Sequence, residues 1–258
     1  MNNDLRKKIV DMTCRAGEGH IPSAFSIVDI IDYLYKKVLK YDPKKPQWEG
    51  RDYFVLSKGH GCAALYVVLE KNGFITQNDL DNKSKMTGIL GGHPDRTKVP
   101  GAEASTGSLG HGIVTAMGIA LGLKIKGKNN KVFALVGDGE CHEGPIWETA
   151  LVAAHQKLGN LCVIVDSNGS AEQILPIPDF AKKWEIFGWE AHEMDGHSEN
   201  EFVEVFTKLQ FDTNSKPKLI IARNIKGKGV GFMETHGPWH YKIPNTCELE
   251  QIYKELGI

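Results

Sequence analysis

Asp138 stands between Gly137 and Gly139 at the end of the apolar run "KVFALV", and Asn168 follows 168 − 138 = 30 positions later, just after a second apolar run, "LCVIVD". One strand-helix-strand unit separates the two. In a parallel unit of that kind both carboxyl ends fall on the same edge, so the two side-chain oxygens can face one ion. An acid and an amide are hard oxygen donors of the sort magnesium takes at about 2.0 to 2.1 Å; with one backbone carbonyl they leave the rest of an octahedral shell to a diphosphate and water. Gly137 and Gly139 let the backbone close on phosphate oxygens without a Cβ in the way, and amides at the next helix start add anion binding. Taken singly, each site is also an ordinary turn, since Gly-Asp-Gly and Asn-Gly are both common at strand ends.

Other motifs fail on inspection. Gly137, Gly139 and Gly144 do not make GxGxxG, so the fingerprint of a dinucleotide-binding oxidoreductase is absent. His142-Glu143 lacks the second histidine of HExxH because position 146 is Ile, and "KGKGVGF" is not a phosphate-binding Walker loop.

The elements that position these residues can be read from periodicity. Asp4 to Ala16 and Ser26 to Leu39 carry apolar residues at helical spacing and read as amphipathic helices. "DYFVLS" (52–57) is strand-like and runs into Gly59-His60-Gly61 and an apolar helix from Cys62 to Leu69. Beyond it come strand 131–136, a helix from about Pro145 to Leu158, strand 161–166, a helix near Phe180 to Phe187 and strand 217–222. That alternation predicts an α/β fold, a parallel sheet with helices on both faces, in a single domain spanning 1–258. Glycine-dense loops lie between, "GGHPD" (91–95) and "STGSLGHG" (105–112), the second opening onto a helix through Ile113 to Leu123. Loops after parallel strands are where such sheets hold ligands.

Composition excludes several classes. Lys and Arg total 31 against 32 for Asp and Glu, a net charge of -1, without a run of like charge to engage nucleic acid or an anionic membrane. Apolar runs stay short of the roughly 20 residues of a membrane span, and "MNNDLRKKIV" has no apolar core of a signal peptide. Cys14, Cys62, Cys141, Cys162 and Cys247 are odd in number and scattered, which suggests neither a disulfide framework nor structural zinc. The chain reads as cytoplasmic.

Gly-Asp-Gly followed by a downstream asparagine is the signature of thiamine diphosphate-binding enzymes, and the chain resembles one family among them. "AGEGHIPSAFSIVDIIDYLY" is similar to the first helix-loop-helix of transketolases, "DYFVLSKGHGCAALYVVL" to their strand and GH loop, "GGHPD" to their GHP loop, and "GAEASTGSLGHGIVTAMGIALGL" to their cofactor-contacting glycine loop. The likeness runs in the family's order from about residue 4 to residue 245. It implies thiamine diphosphate as cofactor, with Mg²⁺ held by Asp138, Asn168 and the main-chain oxygen of Ser170, and Ca²⁺ or Mn²⁺ as substitutes. It further implies that Gly107 and Leu109 meet the cofactor rings and Gly137, with Gly139, the diphosphate. Glu143 matches the glutamate that hydrogen-bonds a partner's catalytic glutamate. His20, His60 and His93 match histidines of the donor channel, His60 also lying near the diphosphate. "GPWHYKIPN" makes His240 the fourth, also beside the cofactor, with His236 the alternative. Histidines suit the implied chemistry, transfer of a two-carbon ketol unit from a ketose or ketose phosphate to an aldose, because each can donate a hydrogen bond to a hydroxyl or relay a proton near neutral pH. Any one of the ten histidines alone would more often be structural or merely exposed.

Departures from the family occur at Ser108 and His111, where Pro and Gln are frequent, at Tyr241, where glycine is usual, and in "GSAEQILPI" after Asn168. In transketolases the glutamate that activates the cofactor comes from a pyrimidine-binding domain, which this sequence does not contain. The resemblance therefore implies a split enzyme, in which this chain forms the amino-terminal subunit while a second, C-terminal polypeptide carries that domain, as an α2β2 heterotetramer. Rival readings are a deoxyxylulose-phosphate synthase-like, branched-sugar-forming or 2-oxoacid dehydrogenase subunit, and a non-catalytic paralogue. The GH, GHP and WH elements together speak against the dehydrogenase.

Overall fold

A computed structural model describes residues 2–172, 174–234 and 237–258. In chain order its elements are α1 (Asn3–Ala16), α2 (Ile21–Tyr33), β1 (Tyr53–Leu56), α3 (Cys62–Lys71), α4 (Gln77–Asp81), α5 (His111–Ile125), β2 (Val132–Gly137), α6 (Gly144–His155), β3 (Leu161–Ser167), α7 (Phe180–Phe187), β4 (Glu190–Asp195), α8 (Glu199–Lys208), β5 (Lys218–Arg223) and α9 (Thr246–Leu256). All strand pairings are parallel, in the order β1-β2-β3-β5-β4.

The central strands are apolar at nearly every position because both faces are covered. Phe54, Leu56, Phe133, Leu135, Cys162 and Ile164 face a core shared with α1, α2 and α3. Val55, Val132, Ala134, Val136, Val163 and Val165 alternate with them and face α5, α6 and α7. The parallel sheet with helices on both faces is thus as the sequence predicts. Among the described residues all five cysteines are free, and no helix is long and apolar enough to cross a membrane.

Two differences matter for the site. Helix α2 begins at Ile21, with Pro22 in its first turn where the missing N–H costs nothing, rather than at Ser26, and it ends in a π-helical turn over Leu34–Val38. Its residues from Ile21 to Ile31 are all buried, so no solvent-facing stripe marks its start. Strand β4 has the sequence EAHEMD and only Met194 is buried. As a polar edge strand it lacks the apolar run by which the other strands are recognised. Helices α8 and α9 also go beyond the sequence reading; each is capped, by Ser198 and Asn245, but buries only two side chains.

Candidate active site at the carboxyl edge of the sheet

With every strand parallel, the carboxyl ends share an edge. β1 delivers Ser57, Lys58 and His60 there, β2 delivers Asp138, β3 delivers Asn168, and β5 delivers Asn224 and Lys226. One buried acid organises them. Asp166, fully buried near the end of β3, pairs with the buried ammonium of Lys58, accepts from Ser26 Oγ of α2 at 2.6 Å and from Asn168 Nδ2 at 2.9 Å, and also accepts from Asn224 Nδ2. A buried carboxylate held by this many donors is satisfied in place and fixes three strand ends relative to α2. Sequence reasoning missed it. The signal was a single acid closing the otherwise apolar "LCVIVD".

Asp138 is the opposite case. Its Oδ1 accepts from Gly139 N at 2.7 Å, whereas Oδ2 is buried without a hydrogen-bond partner. The Ala171 amide approaches the carboxylate but completes no hydrogen bond to Oδ2. Burial, and then the neighbouring negative charge of Asp166, push the Asp138 carboxyl above its ordinary range. A carboxylate kept buried and under-satisfied at a sheet's ligand edge is suited to a cation. Asn168 turns its Nδ2 inward to Asp166, which leaves Oδ1 facing out, where it accepts from Ser170 N at 3.1 Å with a second lone pair to spare. Among the described residues no group of three or more His, Cys, Asp or Glu side chains is arranged to hold a metal. The expected shell of one carboxylate, one amide and one backbone carbonyl is not of that composition.

Lys226 was not singled out from the sequence, where "KGKGVGF" served only to reject a Walker loop. Its Nζ donates to Ser170 Oγ at 3.2 Å and lies 3.1 Å from His240 Nδ1. It belongs to no ion pair among the described residues, and burial, then Lys58, hold it below the ordinary lysine range. A half-buried ammonium without a carboxylate, facing the loop after β3, calls for an anionic ligand. On the other side of Asp138, a Cβ on Gly139 would meet nothing within 4 Å, so that flank is open.

Three of the four expected histidines pack together. The rings of His20 and His60 are 5.2 Å apart, those of His20 and His240 also 5.2 Å, and those of His60 and His240 6.3 Å; Tyr241 lies 4.9 Å from His20. His20 caps α2 at φ 69, a left-handed conformation that a side chain adopts only at a cost, as residues at functional sites do. Gly19 admits the loop above: a Cβ there would lie 2.1 Å from Tyr241 O. Burial, followed by the charge of His240 and His93, pushes His20 down to about 4, and burial, followed by Lys58, pushes His60 down to about 2. His240 is lowered by burial and by Lys226. The three imidazoles are therefore neutral at physiological pH, each with one ring nitrogen that donates and one that accepts, the acceptor of His240 being turned to Lys226. His93 is exposed and flanks Gly107, its Cδ2 3.3 Å from where a Cβ would sit. His236 lies outside the described residues.

Glu140 ties the glycine loops together, and it too was missed. It is buried, accepts from Gly110 N at 2.8 Å through Oε1 and from Gly137 N at 3.1 Å through Oε2, and also takes the Ser57 hydroxyl. Burial raises its carboxyl, against the lowering effect of Ser57 and the two amides. Gly107 is exposed and Leu109 half-buried on the loop so fixed. Glu143 is exposed, with no hydrogen-bond or ion-pair partner for its carboxylate among the described residues, and its Cβ packs where Gly110, at φ +79, has none.

A parallel sheet that gathers an under-satisfied acid, an unpaired ammonium and neutral imidazoles at one open edge defines a domain built to receive a polar, anionic cofactor or substrate. The chain belongs to the family described as transketolase, thiamine diphosphate binding domain, whose model matches residues 1–258. It is 37% identical over 257 residues to one subunit of an apulose-4-phosphate transketolase from Phocaeicola vulgatus, covering 98% of this chain and 91% of that one. It is 35% identical over 237 residues to a 6-deoxy-6-sulfo-D-fructose transketolase subunit from a Clostridium species, covering 90% of this chain and 86% of the relative. The fold matches a transketolase structure from Campylobacter jejuni with a TM-score of 0.91 at 30% identity, over 99% of this chain but only 42% of that one.

Proposed function

We propose that the chain, as a single domain spanning residues 1–258, is the amino-terminal subunit of a thiamine diphosphate-dependent transketolase that moves a two-carbon ketol unit from a ketose or ketose phosphate to an aldose. The observation that carries the reading is the orphaned Asp138 Oδ2, buried at the sheet edge across from an ammonium, Lys226, that has no ion pair. Asp138, Asn168 Oδ1 and the Ser170 main-chain oxygen would hold Mg²⁺, with Lys226 and the Gly137 to Gly139 turn toward the diphosphate, and Gly107 and Leu109 toward the rings. Thiamine diphosphate, when bound, supplies the nucleophilic carbon and the electron sink that the side chains of a protein lack. The chain's own residues bind and orient around it. His20, His60 and His240, neutral and packed, hold sugar hydroxyls, and His93 at the rim completes the set.

A second polypeptide is part of the proposal, because relatives that the chain covers over most of their length are named as subunits of transketolases. That partner would supply the pyrimidine-binding domain and the catalytic glutamate toward which Glu143 is directed, in an α2β2 assembly in the cytoplasm. The relatives act, by name, on apulose 4-phosphate and on 6-deoxy-6-sulfo-D-fructose, which makes modified ketoses the donors to try first. The test is to titrate thiamine diphosphate and Mg²⁺ and assay ketol transfer with and without the product of the adjacent reading frame. Activity that needs both chains, the cofactor and the metal is expected; full activity of this chain alone would overturn the two-chain reading.

A further inference from the structure

The loop that carries Lys226 is held from outside the site. Ile225 N donates to His197 Nε2 at 3.0 Å, and His197 Nδ1 lies 2.9 Å from Asp29 Oδ2. An Nε2 that accepts a backbone N–H carries no proton, so the ring proton sits on Nδ1, which donates a hydrogen bond to Asp29. Arg6 clamps the same carboxylate, NH1 to Oδ1 at 3.0 Å and NH2 to Oδ2 at 2.6 Å. Burial alone would raise Asp29, but His197 and Arg6 hold it well below the ordinary carboxylate range. Arg6 Nε then donates to Lys228 O at 2.8 Å, and Gly227 N donates to Pro22 O at 3.0 Å. The backbone at Ile225, Gly227 and Lys228, on both sides of Lys226, is thus fixed by α1, by α2 and by the turn after β4. The side chains of Arg6, Asp29 and His197 are 0%, 7% and 7% exposed. A buried ion pair repays its desolvation poorly as stability, and what it supplies well is position.

We propose that His197 is a positioning residue for Lys226. It sets the place of the ammonium at the diphosphate end of the site through the Ile225 peptide, with Asp29 and Arg6 fixing its tautomer. The inference rests on the reading of Lys226 as a diphosphate contact. Asn at position 197 keeps a donor toward Asp29 but offers Ile225 N no acceptor, whereas Gln places an acceptor near the former Nε2.

The probe is magnesium pyrophosphate, titrated by calorimetry into the full-length wild type, His197→Asn, Lys226→Ala and the double variant. Expected are losses of about 10-fold for Lys226→Ala and about 5-fold for His197→Asn, with the double variant within about twofold of Lys226→Ala, because residues acting as one unit are not additive. His197→Gln is expected to stay within about threefold of wild type. Binding by His197→Asn within about twofold of wild type, or losses that add in full, would overturn the proposal. If Lys226→Ala binds normally, the diphosphate reading of Lys226 falls and this inference with it; if Lys226→Ala is weakened while His197→Asn is not, only the positioning role falls. Should His197→Asn fail to fold, His197→Gln decides: near-normal affinity supports the role and a loss equal to that of Lys226→Ala removes it.

Discussion

Gly110 N donates to Glu140 Oε1 at 2.8 Å, so the loop before α5 hangs from the turn after β2 by a single buried carboxylate. The other oxygen takes Gly137 N, and the Ser57 hydroxyl completes the set. Glu140→Ala would leave these buried donors unsatisfied, at a cost of about 1 to 3 kcal/mol for each group not recovered by water. A fall in the urea midpoint equivalent to about 2 to 5 kcal/mol is expected, with Glu140→Gln less affected. A midpoint unchanged in Glu140→Ala would mean that the loops are held by something else.

Asp138 should behave inversely. Its raised carboxyl means that ionisation is disfavoured in the protein without a ligand, so its contribution is present below the ordinary unfolded value of about 3.9 and is lost as pH rises through the raised folded value. Asp138→Asn removes that charge. The variant is expected to melt at or slightly above the wild-type temperature at pH 7 while binding of magnesium pyrophosphate falls about 100-fold or more, the trade of stability for function seen at ligand sites. Chelation of the metal should lower wild-type affinity for thiamine diphosphate and leave Asp138→Asn unaltered. A large drop in melting temperature for the variant would assign Asp138 to the fold instead.

The histidine cluster predicts a pH dependence of opposite sign. His20 and His60 are pushed down to about 4 and about 2, below an unfolded value of about 6.5. Between those limits the unfolded chain binds more protons, so the contribution is full above about 6.5 and declines as pH falls toward the folded values. Denaturant midpoints of the unliganded chain measured from pH 7.5 down to 4.5 should fall more steeply for wild type than for a His20→Gln, His60→Gln double variant. Parallel curves would mean that the rings are not buried as neutral species.

His93 differs from His20 and His60 in being exposed, at the rim of the site. His93→Ala therefore should cost less than about 0.5 kcal/mol in stability, as surface changes do. Turnover of the two-chain enzyme should drop by about 100-fold if the imidazole moves a proton or orients a hydroxyl in the reaction. An unchanged turnover number would remove His93 from the site.

Sheet, helices and the Asp138–Asn168 edge are legible in the sequence because they rest on patterns that local physics enforces: buried parallel strands must be apolar, and a glycine turn must follow where backbone meets ligand. What escapes is set by burial that leaves no period. Helix α2 presents Pro22 O, Ser26 and Asp29 to the loop after β5, the end of β3 and the turn after β4, as partners of Gly227 N, Asp166 and His197. In the sequence these are polar groups within an apolar helix, and nothing nearby indicates their partners, which lie 140 to 168 positions on for Ser26 and Asp29. Glu140 and Lys226 are hidden for the same reason. Each is one charge among many until the fold buries it.

Glu143 lies on the surface with no partner for its carboxylate among the described residues, although it follows closely on the acid that holds the glycine loops together. Glu140 and Glu143 are three residues apart and have opposite fates, one buried under three donors and one presented outward. On the proposed reading the partner subunit satisfies this carboxylate, which should therefore be silent in the isolated chain. Glu143→Gln is expected to melt within about 1 °C of wild type, consistent with a surface change below about 0.5 kcal/mol, and to bind magnesium pyrophosphate equally well. With the partner present, ketol transfer should fall about 10-fold or more, since each tenfold corresponds to about 1.4 kcal/mol at the transition state. Weakened pyrophosphate binding in the isolated variant would show that Glu143 serves this chain's own site, and undiminished turnover in the assembled enzyme would show that it serves neither.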